Sequence, residues 1–337
     1  MTVVGGLFGL GVEDRDLTRD VRAGMEAVEA ALAEAVKSDI SFITVTASHL
    51  IEAGGKRFRP LLVMLAAQFG NPSAPGVVPA AVVVELTHLA TLYHDDVMDE
   101  APVRRGAPSA NARWDNSVAI LTGDFLFSRA SQVLADLGPE AVRIQADAFE
   151  RLVTGQILET AGPQPGSDPL GHYLDVIAGK TGALMAVSGR FGAMMAGAEP
   201  WMVELLTEYG EKMGLAFQLA DDVLDIASDG HESGKTPGTD LREGVPTLPV
   251  LLLDSMPLDQ SDPEDARLRE LLQLDLTDDQ RHAEALRLLR RHPALEHARR
   301  ETLRYAEEAR ALLDPLPDCP AKAALQGLCD AVAIRTM

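Results

Sequence analysis

The chain has 337 residues, 46% hydrophobic and 24% charged, enough apolar material for one large core or two smaller ones. Its 51 acidic residues against 30 basic ones give a formal charge of −21. That balance argues against a nucleic-acid binder, which needs a basic footprint, but local Lys/Arg clusters can still hold small anions.

Met1 to Arg15 reads as a loose segment, and its opening, MTVVGGLFGLGVEDRD, lacks the basic region and cleavage site of a signal peptide. Helical spacing follows over Val21 to Val36 and Ile43 to Ile51. Gly54 and Gly55 break the chain before the basic run Lys56, Arg57 and Arg59. Pro60 to Val84 carries no formal charge, yet Gly70, Pro72, Pro75, Gly76 and Pro79 interrupt it, so it reads as two buried helical pieces around a turn rather than a membrane span. A helix free of Gly and Pro then covers Ala80 to Glu100, and a loop over Ala101 to Asn111 holds Arg104 and Arg105.

Val118 to Leu137 and Ala141 to Thr160 are helical by pattern, with Asp124 suited to capping a helix start or to supporting site ligands from behind, and Gly162 to Asp168 is a linker. Tyr173 to Gly197 reads as a long apolar helix interrupted by small residues, with Lys180 and Thr181 in its first half, and Met202 to Ile226 as another. Ser228 to Thr247 is a flexible Gly/Pro/charge-rich loop. Leu248 to Leu253 is short and apolar, Glu264 to Leu313 is charged and amphipathic, and Ala321 to Ile334 makes a final helix. Cys319 and Cys329 offer neither a disulfide framework nor CxxC spacing, which fits a reducing cytoplasm. Strand alternation and nucleotide-binding glycine motifs are absent, so the expectation is an all-α chain, 1–337, forming a single domain.

Two stretches concentrate the chemistry. At about 100° per residue, His88, Asp95 and Asp99 share a face of the Ala80 to Glu100 helix, with Asp96 beside them. Carboxylates crowded on an apolar helix repel one another and are costly to desolvate, so a cation is expected there. The pattern DDxxD returns in FQLADDVLDI, where Asp221 and Asp225 share a face with Gln218 and Asp222 flanks them. Many solvated acidic helix faces match one DDxxD; a second copy inside another apolar helix is harder to explain that way. Two oxygen-rich clusters facing one cavity suit hard Mg²⁺ ions, which keep positions open for water and phosphate.

These residues resemble the trans-type isoprenyl diphosphate synthases of the polyprenyl synthetase family. The likeness runs from about Ile51 to Val250 through GGKRFRP (Gly54 to Pro60), HxxxLYHDDVMD (His88 to Asp99), RRG (Arg104 to Gly106), LTGDFLF (Leu121 to Phe127), GQxxE (Gly155 to Glu159), GKTGAL (Gly179 to Leu184), GxAFQLADDVLD (Gly214 to Asp225) and GKTPGTDLREG (Gly234 to Gly244). The family often has a basic residue after the last Glu-Gly, where this chain has Val245.

The resemblance implies a single-domain bundle of about a dozen helices around a central cavity, normally a cytoplasmic homodimer. It implies condensation of isopentenyl diphosphate with an allylic diphosphate, using Mg²⁺ (three ions, replaceable by Mn²⁺) and no nucleic acid or transmembrane segment. Membrane contact would arise only transiently, at product release. By the same resemblance Asp95, Asp99, Asp221 and Asp225 ligate metal, with Asp96 and Asp222 as further ligands or orienting groups. Arg104, Lys180, Thr181, Gln218 and Lys235 face the allylic diphosphate, and Lys56, Arg59, His88 and Arg105 face isopentenyl diphosphate. Gln156 and Glu159 line the metal site, Tyr93 is a packing residue, and Arg57 ranks below its neighbours as structural.

Ala90 and Thr91, where short-chain relatives tend to carry an aromatic floor, are small. A long-chain product of about C30 to C50, suited to quinone side chains, is therefore expected, since an apolar tunnel gains ~0.8 kcal/mol per buried CH₂. A wall residue such as Met185 or Ile157 could close the tunnel earlier, giving a farnesyl or geranylgeranyl product. A class I terpene cyclase and a non-catalytic partner subunit are further alternatives; the second DDxxD and the retention of all six aspartates favour condensation.

Overall fold

The computed structural model describes residues 14–228, 237–259 and 261–336. Lys235 and part of the expected loop over 228–247 lie outside the described residues, as does nearly all of the expected loose N-terminus. Among the described residues the chain is helical apart from one two-stranded ribbon, as its patterning predicts. The helices are α1 (Arg15–Ala35), α2 (Ser41–Glu52), α3 (Phe58–Ala66), α4 (Val77–Met98), α5 (Ala110–Arg113), α6 (Asn116–Leu137), α7 (Pro139–Ala161), α8 (Pro169–Ile177), α9 (Ala183–Met195) and α10 (Pro200–Ala227). They continue with α11 (Thr239–Glu243), α12 (Leu248–Ser255), α13 (Pro263–Leu272), α14 (Asp279–Arg291), α15 (Pro293–Leu312) and α16 (Pro320–Thr336).

Four differences from the sequence reading have local causes. The loop over 101–111 contains an antiparallel ribbon of β1 (Val103–Arg104) and β2 (Ala107–Pro108), closed by Arg105 and Gly106 with positive φ. The amphipathic stretch Glu264 to Leu313 is three helices: Asp278 accepts from the amides of Gln280 and Arg281 to start α14, and Pro293 starts α15. The interruption in Tyr173 to Gly197 is a π-helical turn at Ala178–Gly182. Asp124 caps nothing; Asp115 caps α6 by accepting from Val118 N at 2.8 Å, and Asp124 lies mid-helix.

The described chain divides into two compact units, whose boundaries cut through α7, α10 and α16. The first comprises residues up to Glu150 together with Ala183–Gly210 and Leu313–Leu325. Its centre is α4, whose Val82, Val83, Leu86 and Leu89 are almost completely buried; each such side chain contributes about 1.5–3 kcal/mol. This helix is long and apolar enough to cross a membrane, but 67% of its most apolar window is buried in the protein, as befits a core helix. Its most extensive neighbour is α6. Gly123 of α6 is required there, because a Cβ would lie 2.3 Å from His94 Nε2 and 3.1 Å from the Ala90 carbonyl oxygen. Tyr93, fully buried, donates to the Thr46 carbonyl at 2.5 Å and accepts from Leu50 N at 3.3 Å, which fastens α4 to α2.

The second unit comprises Arg151–Gly182, Glu211–Leu312 and Gln326–Met337. Its core joins Leu219, Val223 and Ile226 of α10 to Leu252 and Leu253 of α12, Leu268 and Leu271 of α13, Leu288 and Leu289 of α14, and Leu295 of α15. Two glycines bring α7 against the π-helical turn: a Cβ on Gly155 would meet Lys180 N at 2.8 Å, and one on Gly179 would meet the Arg151 carbonyl oxygen at 2.7 Å. The turn thereby presents Lys180 and Thr181 from a wide, unusual coil, of a kind frequent at functional sites.

Candidate active site

In the first unit the aspartate cluster occupies the C-terminal end of α4. Asp95 is half-buried, Asp99 is exposed at the helix C-cap, and Asp96 is 0% exposed. Arg104, turned back by the ribbon, donates through Nε to Asp96 Oδ1 at 2.6 Å, and its Nη2 lies 3.9 Å from Asp99 Oδ2. Burial nevertheless pushes the Asp96 carboxyl up, against the pull of Arg104. Its second oxygen, Oδ2, is buried without a hydrogen-bond partner among the described residues. A buried, unpartnered carboxylate oxygen beside two more carboxylates is chemistry that a hard cation, directly or through its water, can satisfy.

Upstream lies a cationic pocket. Gly54 and Gly55 adopt positive φ and Arg57 is left-handed at φ 49°, so the backbone turns sharply ahead of α3. Arg57 is buried and donates through all three nitrogens: to Glu29 at 2.6 and 3.4 Å, to Glu85 at 2.9 Å and to the Ile51 carbonyl at 3.1 Å. Burial opposes its charge, yet Glu29 and Glu85 leave it held above the ordinary range. These contacts to Glu29, Glu85 and the backbone are those of a residue that packs the turn, in keeping with its lower ranking from sequence.

Arg105 donates to the carbonyls of Leu50 (3.0 Å) and Gly54. Arg59 differs: its Nε is buried with no hydrogen-bond partner among the described residues. Burial pulls it down to about 10, opposed by Glu85 and reinforced by Arg105. His88 stands among these arginines. Burial first, then the charges of Arg59, Arg105, Arg57 and Arg104, hold its imidazole well below the usual range, so it is neutral at physiological pH. Lys56 is exposed at the edge of the turn.

Of the two positions read as setting product length, Thr91 is half-buried and donates to the His88 carbonyl at 2.8 Å. Ala90 is fully buried where Gly123 approaches. His94 bonds the Ile120 carbonyl at 3.0 Å and lies 3.6 Å from Asp124, which accounts for Asp124 without a capping role.

In the second unit α10 carries the other cluster. Asp222 is buried and receives hydrogen bonds from the Tyr173 hydroxyl and from Gln218 Nε2 at 3.1 Å. Burial nonetheless pushes its carboxyl up to about 7, with Asp240 adding to the rise. Thr181 Oγ1 donates to Gln218 Oε1 at 3.2 Å, linking the π-helical turn to this network. Asp225 accepts from the amides of Thr239 (3.2 Å) and Asp240 (3.3 Å) at the start of α11. Asp221 pairs with Arg335 of α16 at 3.0 Å, and that guanidinium also covers the Phe217 ring at 5.2 Å. Lys180 pairs with Glu159 of α7 at 2.6 Å, to which Gln156 also donates at 2.9 Å.

Sequence reasoning missed Glu29, Glu85, Tyr173 and Arg335. Glu85 alone left a trace, as the first charge after a long uncharged run on a core helix.

Among the described residues no three His, Cys, Asp or Glu side chains form a ready-made metal cage. Mg²⁺ does not require one: it binds through one or two carboxylates and completes its octahedron with water and phosphate oxygens, so the all-oxygen donors Asp95, Asp99, Asp221 and Asp225 fit it.

The sequence profile of the family described as Polyprenyl synthetase matches residues 41–289. A nonaprenyl diphosphate synthase of Mycobacterium tuberculosis is 50% identical over 323 residues, covering 96% of this chain and 95% of its own. Among solved structures, a geranylgeranyl pyrophosphate synthase from Corynebacterium glutamicum, complexed with calcium and isoprenyl diphosphate, is 46% identical. Its TM-score is 0.86, with 96% of this chain and 99% of that one covered. A decaprenyl diphosphate synthase from Rhodobacter capsulatus is 36% identical at a TM-score of 0.85, covering 96% of this chain and 99% of its own. With the arginine pocket, the two aspartate helices and this agreement along nearly the whole length, the chain belongs to the polyprenyl synthetase family.

Proposed function

We propose that this chain is a cytoplasmic, homodimeric trans-prenyltransferase that condenses isopentenyl diphosphate with an allylic diphosphate, head to tail, and requires Mg²⁺. The observation that carries the reading is the presence, within one unit, of two different receptors for diphosphate. One is an arginine cluster in which Arg59 Nε is buried with no partner among the described residues; the other is the carboxylate cluster Asp95, Asp96 and Asp99. The reaction needs this distinction: one diphosphate must leave and the other must stay. Arginines and a neutral histidine can hold a diphosphate through charge-assisted hydrogen bonds without pulling on its C–O bond. Carboxylates can hold it only through a divalent cation, which neutralises the departing charge. The calcium and isoprenyl diphosphate bound in the Corynebacterium relative support this choice of ligands.

In this reading Lys56, Arg59, Arg105 and His88 hold isopentenyl diphosphate. Arg104 orients Asp96 and offers its remaining donors to the allylic diphosphate. Lys180, Thr181 and Gln218 of the second unit are diphosphate donors in the same reading, as is Lys235, which lies outside the described residues. Asp96 and Asp222, both buried and hydrogen-bonded, orient Asp95, Asp99, Asp221 and Asp225 rather than act alone. Heterolysis of the allylic C–O bond gives a cation and free diphosphate, the isopentenyl double bond attacks that cation, and loss of a proton restores a double bond in a product five carbons longer.

The M. tuberculosis and R. capsulatus relatives support a long product, and the Corynebacterium relative supports a shorter one. Incubating the purified protein with Mg²⁺, isopentenyl diphosphate and each allylic primer decides between them. A ladder of polyprenyl diphosphates extending well past the geranylgeranyl product is expected. A ladder ending at geranylgeranyl would refute the long-chain reading, and a cyclised hydrocarbon or no product would refute condensation.

A further inference from the structure

A carboxylate buried beside an anion-binding pocket is at first sight misplaced, because it repels the ligand. Glu85 is 1% exposed on α4, accepts from Arg57 Nη1 at 2.9 Å and lies 3.9 Å from Arg105 Nη2. Three guanidinium groups, Arg57, Arg59 and Arg105, gather around it. Arg57 weakens the charge of Arg105, and Arg105 that of Arg59, while Glu85 supports all three.

Their hydrogen bonding is unequal. All three nitrogens of Arg57 donate, to Glu29, Glu85 and the Ile51 carbonyl, and Arg105 is tied to the Leu50 and Gly54 carbonyls. A Cβ on Gly55 would lie 2.8 Å from the Arg105 guanidinium carbon, so the backbone itself confines that side chain. Of the three, Arg59 is the one with a buried nitrogen that has no hydrogen-bond partner among the described residues.

We propose that Glu85 is a positioning residue for isopentenyl diphosphate: it lets three arginines share one buried site and directs Arg57 and Arg105 onto the protein, which leaves Arg59 free for the diphosphate. The inference rests on the assignment of this pocket to isopentenyl diphosphate made above. Simple electrostatics predicts the opposite outcome, since removing a negative charge from an anion site should tighten binding.

The test uses the full chain. Metal-free binding of inorganic pyrophosphate is measured calorimetrically in EDTA for wild type, Arg59→Gln, Glu85→Gln and Glu85→Asp, alongside KM for each substrate with Mg²⁺ present. Arg59→Gln should weaken pyrophosphate at least tenfold, which locates the site. Glu85→Gln should also weaken it at least tenfold and raise KM for isopentenyl diphosphate similarly, with KM for the allylic diphosphate within about twofold. Glu85→Asp, which keeps the charge but shortens the reach, should fall between, with at least a threefold rise in KM for isopentenyl diphosphate; it decides the matter if Glu85→Gln does not fold. Wild-type or tighter affinity in the folded Glu85 variants overturns the inference. So does an equal rise in both KM values. Absence of pyrophosphate binding by wild type, or binding untouched by Arg59→Gln, overturns the pocket assignment and the inference with it.

Discussion

Replacing Asp222 by Asn should make the metal-free protein less sensitive to alkaline pH. The Asp222 carboxyl is pushed from its ordinary 3.8 to about 7, chiefly by burial, despite the hydrogen bonds from Tyr173 and Gln218. A folded-state value above the unfolded one means that the folded chain binds the proton more tightly. The stabilisation is therefore fully present below about pH 4 and is lost as pH rises through about 7. A shift of roughly three units corresponds to about 4 kcal/mol, of which about 2.5 kcal/mol is lost between pH 5 and pH 8. At roughly 2–4 °C per kcal/mol, the gap between variant and wild-type midpoints should widen by about 5–10 °C over that range. Scanning calorimetry of both proteins in EDTA at pH 5 and pH 8 measures it, and any constant offset between Asn and Asp cancels in the comparison. Midpoints that move in parallel to within about 1 °C would mean that the Asp222 site is solvated, and the burial argument would fail.

Asp95→Ala and Asp221→Ala should each abolish Mg²⁺-dependent turnover while leaving the circular dichroism spectrum unchanged, since both side chains are only partly buried at the ends of well-packed helices. Near-wild-type turnover in either would remove that aspartate from the metal site. Thr91→Phe should shorten the product ladder on radio-TLC if Thr91 borders the growing tail, and an unchanged ladder would show that it does not.

The sequence made the helices legible wherever an apolar stripe ran unbroken, and α4, α6 and α10 appear close to where periodicity places them. It misled where a break depends on a small feature. The Asp278 cap and Pro293 divide what reads as one amphipathic run, and at Ala178–Gly182 the small residues signal an interruption but not its π-helical form. Six aspartates and the basic run after Gly55 could be found because they repeat or cluster along the chain. Their partners could not. Glu29 reaches Arg57 from α1, Tyr173 reaches Asp222 from α8, and Arg335 reaches Asp221 from α16, separations of tens of residues that no local pattern encodes. Asp124 shows the converse: an acid that looks like a cap when only its neighbours in sequence are known proves to face His94 across a helix pair.

The bare Cα of Gly123 also limits how this protein can be redesigned. Since α6 meets α4 at the level of Ala90 and His94 with no room for a methyl group, the spacing of these two helices is already at its minimum there. Sliding these two helices together is therefore closed to a designer. The adjustable dimension is the bulk of individual side chains, and position 123 is the one to leave untouched.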